Sequence, residues 1–542
     1  MAGAGDLPPA ALTFDEATFR RDLQSIASYD RSTGAPGENR AIDYLAGELK
    51  RSGIAATVYP FSALVSFPLK ASLSVDGKPV GEALTYSFSS TTPPQGVTGR
   101  LYVAERELPA NCRGMIVLVD SWPFSEVSRQ IEHCGALGAV FTSHTGGLVN
   151  FIASPVWGTP SSSNIATLPR LPGVTLRRVD FLALASKART TPIRATLFAA
   201  ASRERRTLRL LIATVVGERP EFVMMGAHID AWQSGATDNG VADAMMLSFA
   251  RAMRAGPKPR RTVLFAWWPG HSQGRYAGSA WFADAQWARL DRYGVAYLNE
   301  DVLGSRDATQ FSIDATAEIS SAATQTLHQA LGIHPDVEPP SRSADESFLG
   351  IGLPSAYIVH DSGHGPSDWW HDASDTLDKV SMPVVSEEYH AISAFLISLV
   401  QTSPLPLRFT PLAEQIDSRL QALQHSAGDR FSLMPAISAA KAFKTEARRI
   451  DELLAERRQD LSDQSLLAIP RLLNPIVYTK GDRFVPDEAV ALPLIPSLAP
   501  ASRLVSLDAE QLALTRVDLV RAQNRIVDAL ERATGALRSL PH

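Results

Sequence analysis

The spacing of hydrophobic residues changes along the chain and separates regions of different predicted structure. From residue 206 onward, short apolar runs of strand length alternate with longer stretches whose apolar residues recur at helical spacing. Alternation of this kind predicts a largely parallel β-sheet covered by helices. The predicted strands are 208–216, 222–225, 262–267, 294–299 and 355–359, and the predicted helices are 241–253, 276–286, 319–331 and 387–401.

The regions on either side of this pattern differ from it. Residues 14–54 read as a helix, a turn and a second helix. From about residue 68 to near residue 200, short β-type runs are separated by Gly, Pro and Ser turns. Beyond residue 405 the chain consists of helices with charged faces, interrupted by a Pro-rich segment at 470–500.

These patterns predict an α/β protein with a mixed, mostly parallel central sheet flanked by helices, an inserted β-rich domain and a C-terminal helical domain. The length of 542 residues agrees with several domains, because one hydrophobic core rarely serves so long a chain. The predicted boundaries are 12–65 with 204–404 for the central-sheet domain, 66–203 for the inserted domain and 405–542 for the helical domain.

Composition and charge narrow the functional classes. A net charge of −5 gives no reason to expect nucleic acid as a partner, and no run approaches the roughly 20 apolar residues of a membrane span. The two cysteines are too few for a disulfide framework or a thiolate zinc site. The start, MAGAGDLPPAALTFDEATF, lacks the features of a signal peptide. The chain as given therefore predicts a soluble, cytoplasmic protein, whereas a chain trimmed of a signal peptide would be periplasmic or secreted.

Polar residues with metal-ligand chemistry follow the predicted strand 222–225. The stretch 222–243 reads FVMMGAHIDAWQSGATDNGVAD and carries His228, Asp230 and Asp238 between the strand and the next helix. The end of a buried strand is where open α/β sheets place their sites. A His-x-Asp pair suits a metal, since one imidazole nitrogen binds the ion while the carboxylate holds the other N–H. Asp230 is therefore the expected partner of His228.

Four further polar segments lie at or near the ends of later predicted elements. They read WPGHSQGRYAGS at 268–279, LNEDVLG at 298–304, SADESF at 343–348 and DWWHDASD at 368–375. Together with the first stretch they resemble the zinc-dependent family that includes bacterial di-zinc aminopeptidases, glutamate carboxypeptidase II, glutaminyl cyclases and the transferrin receptor. The resemblance covers almost the whole chain. It implies a zinc-exopeptidase-like fold, a protease-associated domain at 66–203, and a transferrin-receptor-like dimerisation domain at 405–542 that forms a homodimer.

The resemblance also implies roles for individual residues. Asp238 matches the aspartate that bridges two metals, and His228 and Asp301 match the other ligands of the first site. His371 matches the histidine of the second site. Carboxylates with imidazole suit Zn²⁺, and a catalytic site keeps a coordination position open for water or substrate.

The chain departs from the family pattern at one place. The family carries Gly-Glu-Glu where this chain has Gly270, His271 and Ser272. The first glutamate is the family's general base and the second is a ligand of the second metal. Serine is a poor zinc ligand, whereas imidazole serves as base or as ligand. A single zinc ion on His228, Asp238 and Asp301 is thus favoured, with His271 in proton transfer; two ions are the alternative if His271 supplies the missing ligand.

Further residues are candidates for contact with a substrate. His360 and His364 lie on a predicted loop close in sequence to His371, and Trp370 and Tyr276 are candidates for the wall of a substrate pocket. Asp345 is expected to orient the site through its neighbours, as the matching aspartate region does in the family.

Three functions agree with these residues. The first is a divergent hydrolase of an amide or peptide bond in a small molecule or peptide, with metal-bound water as nucleophile. The second is a metal-dependent lyase or cyclase on the same scaffold. The third is a non-catalytic receptor or scaffold. Loss of both glutamates favours the third, but an abandoned site has no use for His228, Asp238, Asp301 and His371, so hydrolysis is preferred.

Overall fold

The computed structural model describes residues 12–105, 108–456 and 461–540. The first eleven residues, on which part of the signal-peptide argument rests, lie outside this range. No helix among the described residues is long and apolar enough to cross a bilayer.

The described residues form two sheets and two sets of helices. The strands are β1 Ala55–Val65, β2 Pro68–Val75, β3 Lys78–Pro79, β4 Ala83–Leu84, β5 Val97–Ala104, β6 Met115–Val119, β7 Gly138–Thr142, β8 Gly173–Leu176, β9 Arg194–Ala201, β10 Glu204–Val215, β11 Arg219–His228, β12 Arg261–Trp268, β13 Gly294–Asn299, β14 Gln310–Ala315, β15 Asp336–Glu338 and β16 Ser355–Asp361. The α-helices are α1 Glu16–Ala27, α2 Pro36–Arg51, α3 Ser125–His133, α4 Arg178–Thr190, α5 Val241–Ala255, α6 Ala277–Ala285, α7 Trp287–Tyr293, α8 Ala317–Leu331, α9 Met382–Gln401, α10 Thr410–Ala427, α11 Met434–Ala455, α12 Asp463–Val477 and α13 Ala509–Arg538.

The central sheet has the strand order β1-β10-β12-β11-β13-β16-β14-β15. Strands β12, β11, β13 and β16 run parallel, and β1 and β10 are antiparallel to their neighbours. Strand β14 pairs antiparallel with β16 and parallel with β15. Helices cover both faces, and every residue of β12 and β13 is buried, which explains their nearly continuous apolar sequences. The predicted fold class, a mixed and mostly parallel sheet flanked by helices, is confirmed.

The second sheet, with the order β3-β2-β9-β5-β6-β7-β8-β4, lies between β1 and β10 in the sequence. Strands β1 and β10 pair antiparallel from Ala55 and Thr214 to Val65 and Glu204, so the chain leaves and re-enters the central sheet at adjacent points. This pairing is why an insertion of such length is compatible with the central sheet. Cys112 and Cys134 form a disulfide within the inserted region.

The C-terminal helices share one continuous hydrophobic core with the helices on one face of the central sheet. A buried ion pair between Arg261 of β12 and Asp463 of α12 joins the two parts, with 2.5 Å between Nη2 and Oδ2. The expectation of an irregular Pro-rich segment from residue 470 is wrong for its first part, because α12 continues through Pro470 and Pro475. Burial of one apolar face of α12 outweighs the cost of proline inside a helix.

Candidate metal centre

The candidate ligands are held at the carboxyl ends of parallel strands. His228 is the last residue of β11, His271 follows β12 within three residues, and Asp301 follows β13 within two. Asp238 lies in the buried turn between β11 and α5. Because β12, β11 and β13 are parallel neighbours, the residues that follow them meet at one edge of the sheet.

The structure brings four of the sequence-predicted residues into contact. Nε2 of His228 lies 3.0 Å from Oδ1 of Asp238 and 3.0 Å from Oδ1 of Asp301. The second oxygen of Asp238, Oδ2, lies 3.3 Å from Nε2 of His371. Asp238 therefore stands between two histidines, which is the position that a bridging carboxylate requires.

Charge at this cluster is concentrated and buried. Burial lowers the pKa of His228, but the carboxylates of Asp301 and Asp238 outweigh that effect and raise the pKa of this imidazole well above its usual value. Burial raises the pKa of Asp238, but hydrogen bonds from His228 and His371 outweigh it and hold that pKa well below the usual range. Two carboxylates directed at one imidazole favour a positive charge between them.

The donor set fits a divalent cation. Ligand-type atoms of His228, His271 and Asp301 all lie within 4.8 Å of one another. Imidazole nitrogen with carboxylate oxygen is a combination that zinc accepts. Ser272 also faces the cavity, and its buried hydroxyl oxygen has no hydrogen-bond partner among the described residues.

Asp230 contacts His228 through its backbone oxygen, whereas the sequence predicted a contact through its carboxylate. Nδ1 of His228 lies 2.7 Å from the backbone oxygen of Asp230, and the Asp230 carboxylate is directed elsewhere. That carboxylate accepts hydrogen bonds from the backbone N–H groups of His271 and Ser272 at 3.1 and 2.8 Å, and from the hydroxyl of Thr33 at 2.6 Å. Charge-assisted bonds to these otherwise unpaired donors hold it there. Asp230 thus fixes the turn that carries His271.

His271 lies against the metal-ligand cluster and is oriented from behind. Its ring stacks on that of His228 with 3.9 Å between centroids. Nδ1 of His271 lies 2.8 Å from Oδ2 of Asp345, whose Oδ1 accepts a hydrogen bond from Ser279 at 2.5 Å. Because Nδ1 contacts Asp345, Nε2 is the ring nitrogen that remains available to a ligand in the cavity.

A cavity of about 610 Å³ opens in front of this cluster. Two of the expected substrate-binding residues, Trp370 and Tyr276, line it. Further lining residues come from the inserted region, the strand ends and a C-terminal segment, and include Trp122, Phe124, Phe151, Arg275, Arg342 and residues 489–491.

The cavity lining does not include His360 or His364, the two other histidines expected to contact a substrate. His364 is exposed on a loop that is held by hydrogen bonds from Gly363 N–H to Asp361 and from Ser362 to the Gly365 carbonyl. His360 is buried, and its Nδ1 lies 3.1 Å from the Glu388 carboxylate.

Most cavity residues outside the motifs could not have been found from the sequence. The aromatic residues of the inserted region, Trp122, Phe124 and Phe151, lie more than a hundred residues before Asp301 in the sequence. Residues 489–491 are nearly two hundred positions after Asp301. Neither group carries a local pattern that distinguishes it from ordinary core or loop sequence.

Comparison with known proteins finds similar sequences. Residues 211–396 match Peptidase family M28. The "Probable lipoprotein aminopeptidase LpqL" of Mycobacterium tuberculosis is 27% identical over 409 residues, which cover 66% of this chain and 79% of that protein. Mouse "Aminopeptidase NAALADL1" is 25% identical over 397 residues, covering 62% of this chain and 53% of that protein, so the chain spans about half of that relative's length.

Solved structures share the fold. An aminopeptidase from Aneurinibacillus sp. strain AM-1 superimposes with a TM-score of 0.58 at 21% identity, covering 72% of this chain and 95% of that one. A zinc aminopeptidase from Bacillus subtilis gives 0.57 at 20% identity, covering 73% and 98%. The match of residues 211–396 to Peptidase family M28, together with the aminopeptidase relatives, indicates a peptide-bond hydrolase.

Proposed function

We propose that this protein is a zinc-dependent aminopeptidase that removes residues from the amino terminus of small peptides. The observation that carries the proposal is the convergence of His228, Asp238, Asp301 and His371 at the carboxyl edge of the sheet. A cavity of about 610 Å³ supports an exopeptidase, since such a volume holds the end of a peptide rather than a long segment.

The favoured metal content is one zinc ion held by His228, Asp238 and Asp301. Zinc at this position would supply Lewis-acid polarisation of the scissile carbonyl and activation of water. Ser272 supports a single ion, because a serine stands where the family has a ligand of the second metal. Two ions, with His371 and His271 in the second ligand set, are the alternative.

His271 is proposed to move the proton. His271 lines the cavity, and because its Nδ1 lies 2.8 Å from Asp345, Nε2 is the nitrogen available to a substrate. The imidazole takes a proton from the attacking water and returns it to the leaving amine, so the side chain ends the cycle as it began. A general base of this kind replaces the glutamate of the family pattern.

Aromatic side chains support a preference for large apolar residues at the cleaved end. Trp122 lies 4.9 Å from Trp370 and 5.5 Å from Phe151 between ring centroids, and all three line the cavity. Rings in this arrangement bury an apolar side chain at low entropic cost. Peptides that begin with Leu, Phe or Trp should therefore be cleaved faster than peptides that begin with Gly or Asp.

The test is hydrolysis of a panel of aminoacyl anilides and dipeptides by the full chain, with products identified by mass. Chelation should abolish cleavage, and added zinc should restore it. Products that have gained water establish hydrolysis; loss of ammonia or water from the substrate would establish the cyclase or lyase alternative. If the zinc-loaded protein leaves every member of the panel unchanged, the non-catalytic receptor or scaffold is the function that remains.

We also propose a homodimer formed through the C-terminal helices. Leu514, Val517 and Val520 on α13 are 64%, 48% and 46% exposed and lie on one face of its first half. In the second half of α13, Leu530 is fully buried within the subunit and is not part of this exposed face. Sedimentation should show a dimer at micromolar concentration, and Val517→Glu should convert it to a monomer.

The disulfide supports a location outside the reducing cytoplasm. Cys112 and Cys134 are bonded to one another, and such bonds persist in oxidising compartments. Thiol labelling of the protein in intact cells should find both cysteines unreactive before reduction. Full labelling without a reductant would show free thiols and would indicate a reducing compartment such as the cytoplasm.

A further inference from the structure

A chain of hydrogen bonds connects His271 to a tryptophan of the inserted region. Behind His271, Asp345 accepts from Ser279 at 2.5 Å, and the Ser279 and Ser347 hydroxyl oxygens lie 2.8 Å apart. The indole N–H of Trp157 donates to Ser347 at 2.8 Å. Trp157 stands between β7 and β8, so the chain crosses from the inserted sheet to the crevice of the central sheet.

The donors and acceptors give this chain one direction. Indole nitrogen only donates, so the Ser347 oxygen accepts from Trp157. The Ser279 hydroxyl donates to Asp345, because this contact is charge-assisted and shorter than its 3.3 Å approach to the Tyr276 carbonyl. Since Ser279 has given its one hydroxyl proton to Asp345, its oxygen accepts from the Ser347 hydroxyl.

The direction determines which nitrogen of His271 carries the proton. An ionised carboxylate only accepts, so Asp345 requires a donor at Nδ1 of His271. Ser279 and Asp345 are 0% and 1% exposed, so water does not compete for these bonds. The neutral imidazole therefore keeps its proton on Nδ1 and offers the lone pair of Nε2 to the cavity.

We infer that Trp157, Ser347 and Ser279 are positioning residues that fix the reactive tautomer of His271. The inference rests on the proposed role of His271 in proton transfer. It gives the inserted region a part in preparing the reaction centre as well as in forming the cavity wall. Trp157 is suited to the role, because its ring is held 4.4 Å from Tyr276 and 4.9 Å beneath the Arg342 guanidinium.

The kinetic test removes the hydrogen-bonding groups one at a time in the zinc-supplemented protein. Ser279→Ala should lower kcat by about 10- to 100-fold, the usual effect of losing a group that orients a site residue. Trp157→Phe keeps the ring and removes only the donor, so it should lower kcat by a smaller factor, with KM and zinc content unchanged. Trp287→Phe is the matched control, because the Trp287 indole N–H is buried without a partner in the described part of the chain.

A double-substitution experiment distinguishes positioning from general loss of stability. In an Asp345→Asn background, Ser279→Ala and Trp157→Phe should have almost no further effect on kcat, because the chain is already interrupted at its last link. Ser347→Thr, which restores a hydroxyl, should recover most of the loss seen in Ser347→Ala. Equal losses in both backgrounds, or no rescue by threonine, would overturn the inference.

The spectroscopic test is independent of peptide hydrolysis. In protein labelled with ¹⁵N-histidine, the His271 signals, identified by their absence in His271→Ala, should show Nδ1 protonated and Nε2 unprotonated. Ser279→Ala should move the population toward the other tautomer. A proton on Nε2 in the unaltered protein, or an unchanged spectrum in Ser279→Ala, would refute the proposed effect of these hydrogen bonds on the His271 tautomer. Absence of peptidase activity with the expected spectrum would refute the proposed function alone.

Discussion

Replacing His271 by alanine separates its proposed role in proton transfer from the alternative role as a metal ligand. The proposed ligands keep their contacts without it, since Nε2 of His228 remains between Asp238 and Asp301 at 3.0 Å. Zinc content should therefore stay close to that of the unaltered protein. A positioned acid–base group is worth roughly 10²- to 10⁴-fold in rate, so kcat should fall by that factor, or about 2.7–5.5 kcal/mol in activation free energy.

The same substitution should destabilise the fold by a smaller amount. Asp345 is 1% exposed and would lose the imidazole that now lies 2.8 Å from its carboxylate. Ser279 remains as its partner, so the cost should be about 1–3 kcal/mol, the range for a buried polar group left partly unsatisfied. His360→Ala is the matched control, because His360 is also buried against a carboxylate and does not line the cavity. It should lose comparable stability and keep its kcat.

Three measurements decide the outcome: kcat and KM with an aminoacyl anilide, zinc per chain by elemental analysis, and the free energy of unfolding in urea. A loss of zinc that parallels the loss of rate would make His271 a ligand and support the two-ion alternative. Full rate with full zinc would remove His271 from the mechanism. A rate loss matched by His360→Ala would show that lost stability, rather than lost chemistry, explains the effect.

Three further outcomes follow from the structure. Asp238→Asn should abolish zinc binding by elemental analysis, because this carboxylate contacts both histidines of the cluster. Asp463→Ala should cost about 3–5 kcal/mol in urea unfolding by leaving buried Arg261 without its carboxylate, whereas Arg532→Ala, which breaks an exposed pair, should cost less than about 1 kcal/mol. Burial raises the pKa of Glu346 from 4.5 to about 7, so the native state binds more protons than the unfolded state between those values and stability falls as pH rises through them. Glu346→Gln should remove this fall of up to roughly 3 kcal/mol, and an unchanged pH dependence of unfolding would contradict the assignment.

The fold of the central region could be read from the sequence because its strands are buried along their length. Continuous apolar runs such as 222–225 and 262–267 have few alternatives to a buried strand, and both lie within strands of the structure. The strand Gln310–Ala315 was not predicted. It lies near one edge of the sheet, its sequence QFSIDA mixes polar and apolar residues, and half of its positions are only partly buried.

The sequence by itself placed residue types that bind metals after predicted strands, and the resemblance to the zinc-dependent family proposed His228, Asp238 and Asp301 as ligands. Only the tertiary structure decided what each remaining polar group does. Asp230 could be matched to His228 by spacing, but its carboxylate turned to the unpaired N–H groups of His271 and Ser272, which are forty residues away in the chain. Trp157 carried no local signal at all. Spacing along a strand fixes the side of the sheet that a residue faces, whereas its partners depend on which distant segments pack there and on which buried donors still lack an acceptor.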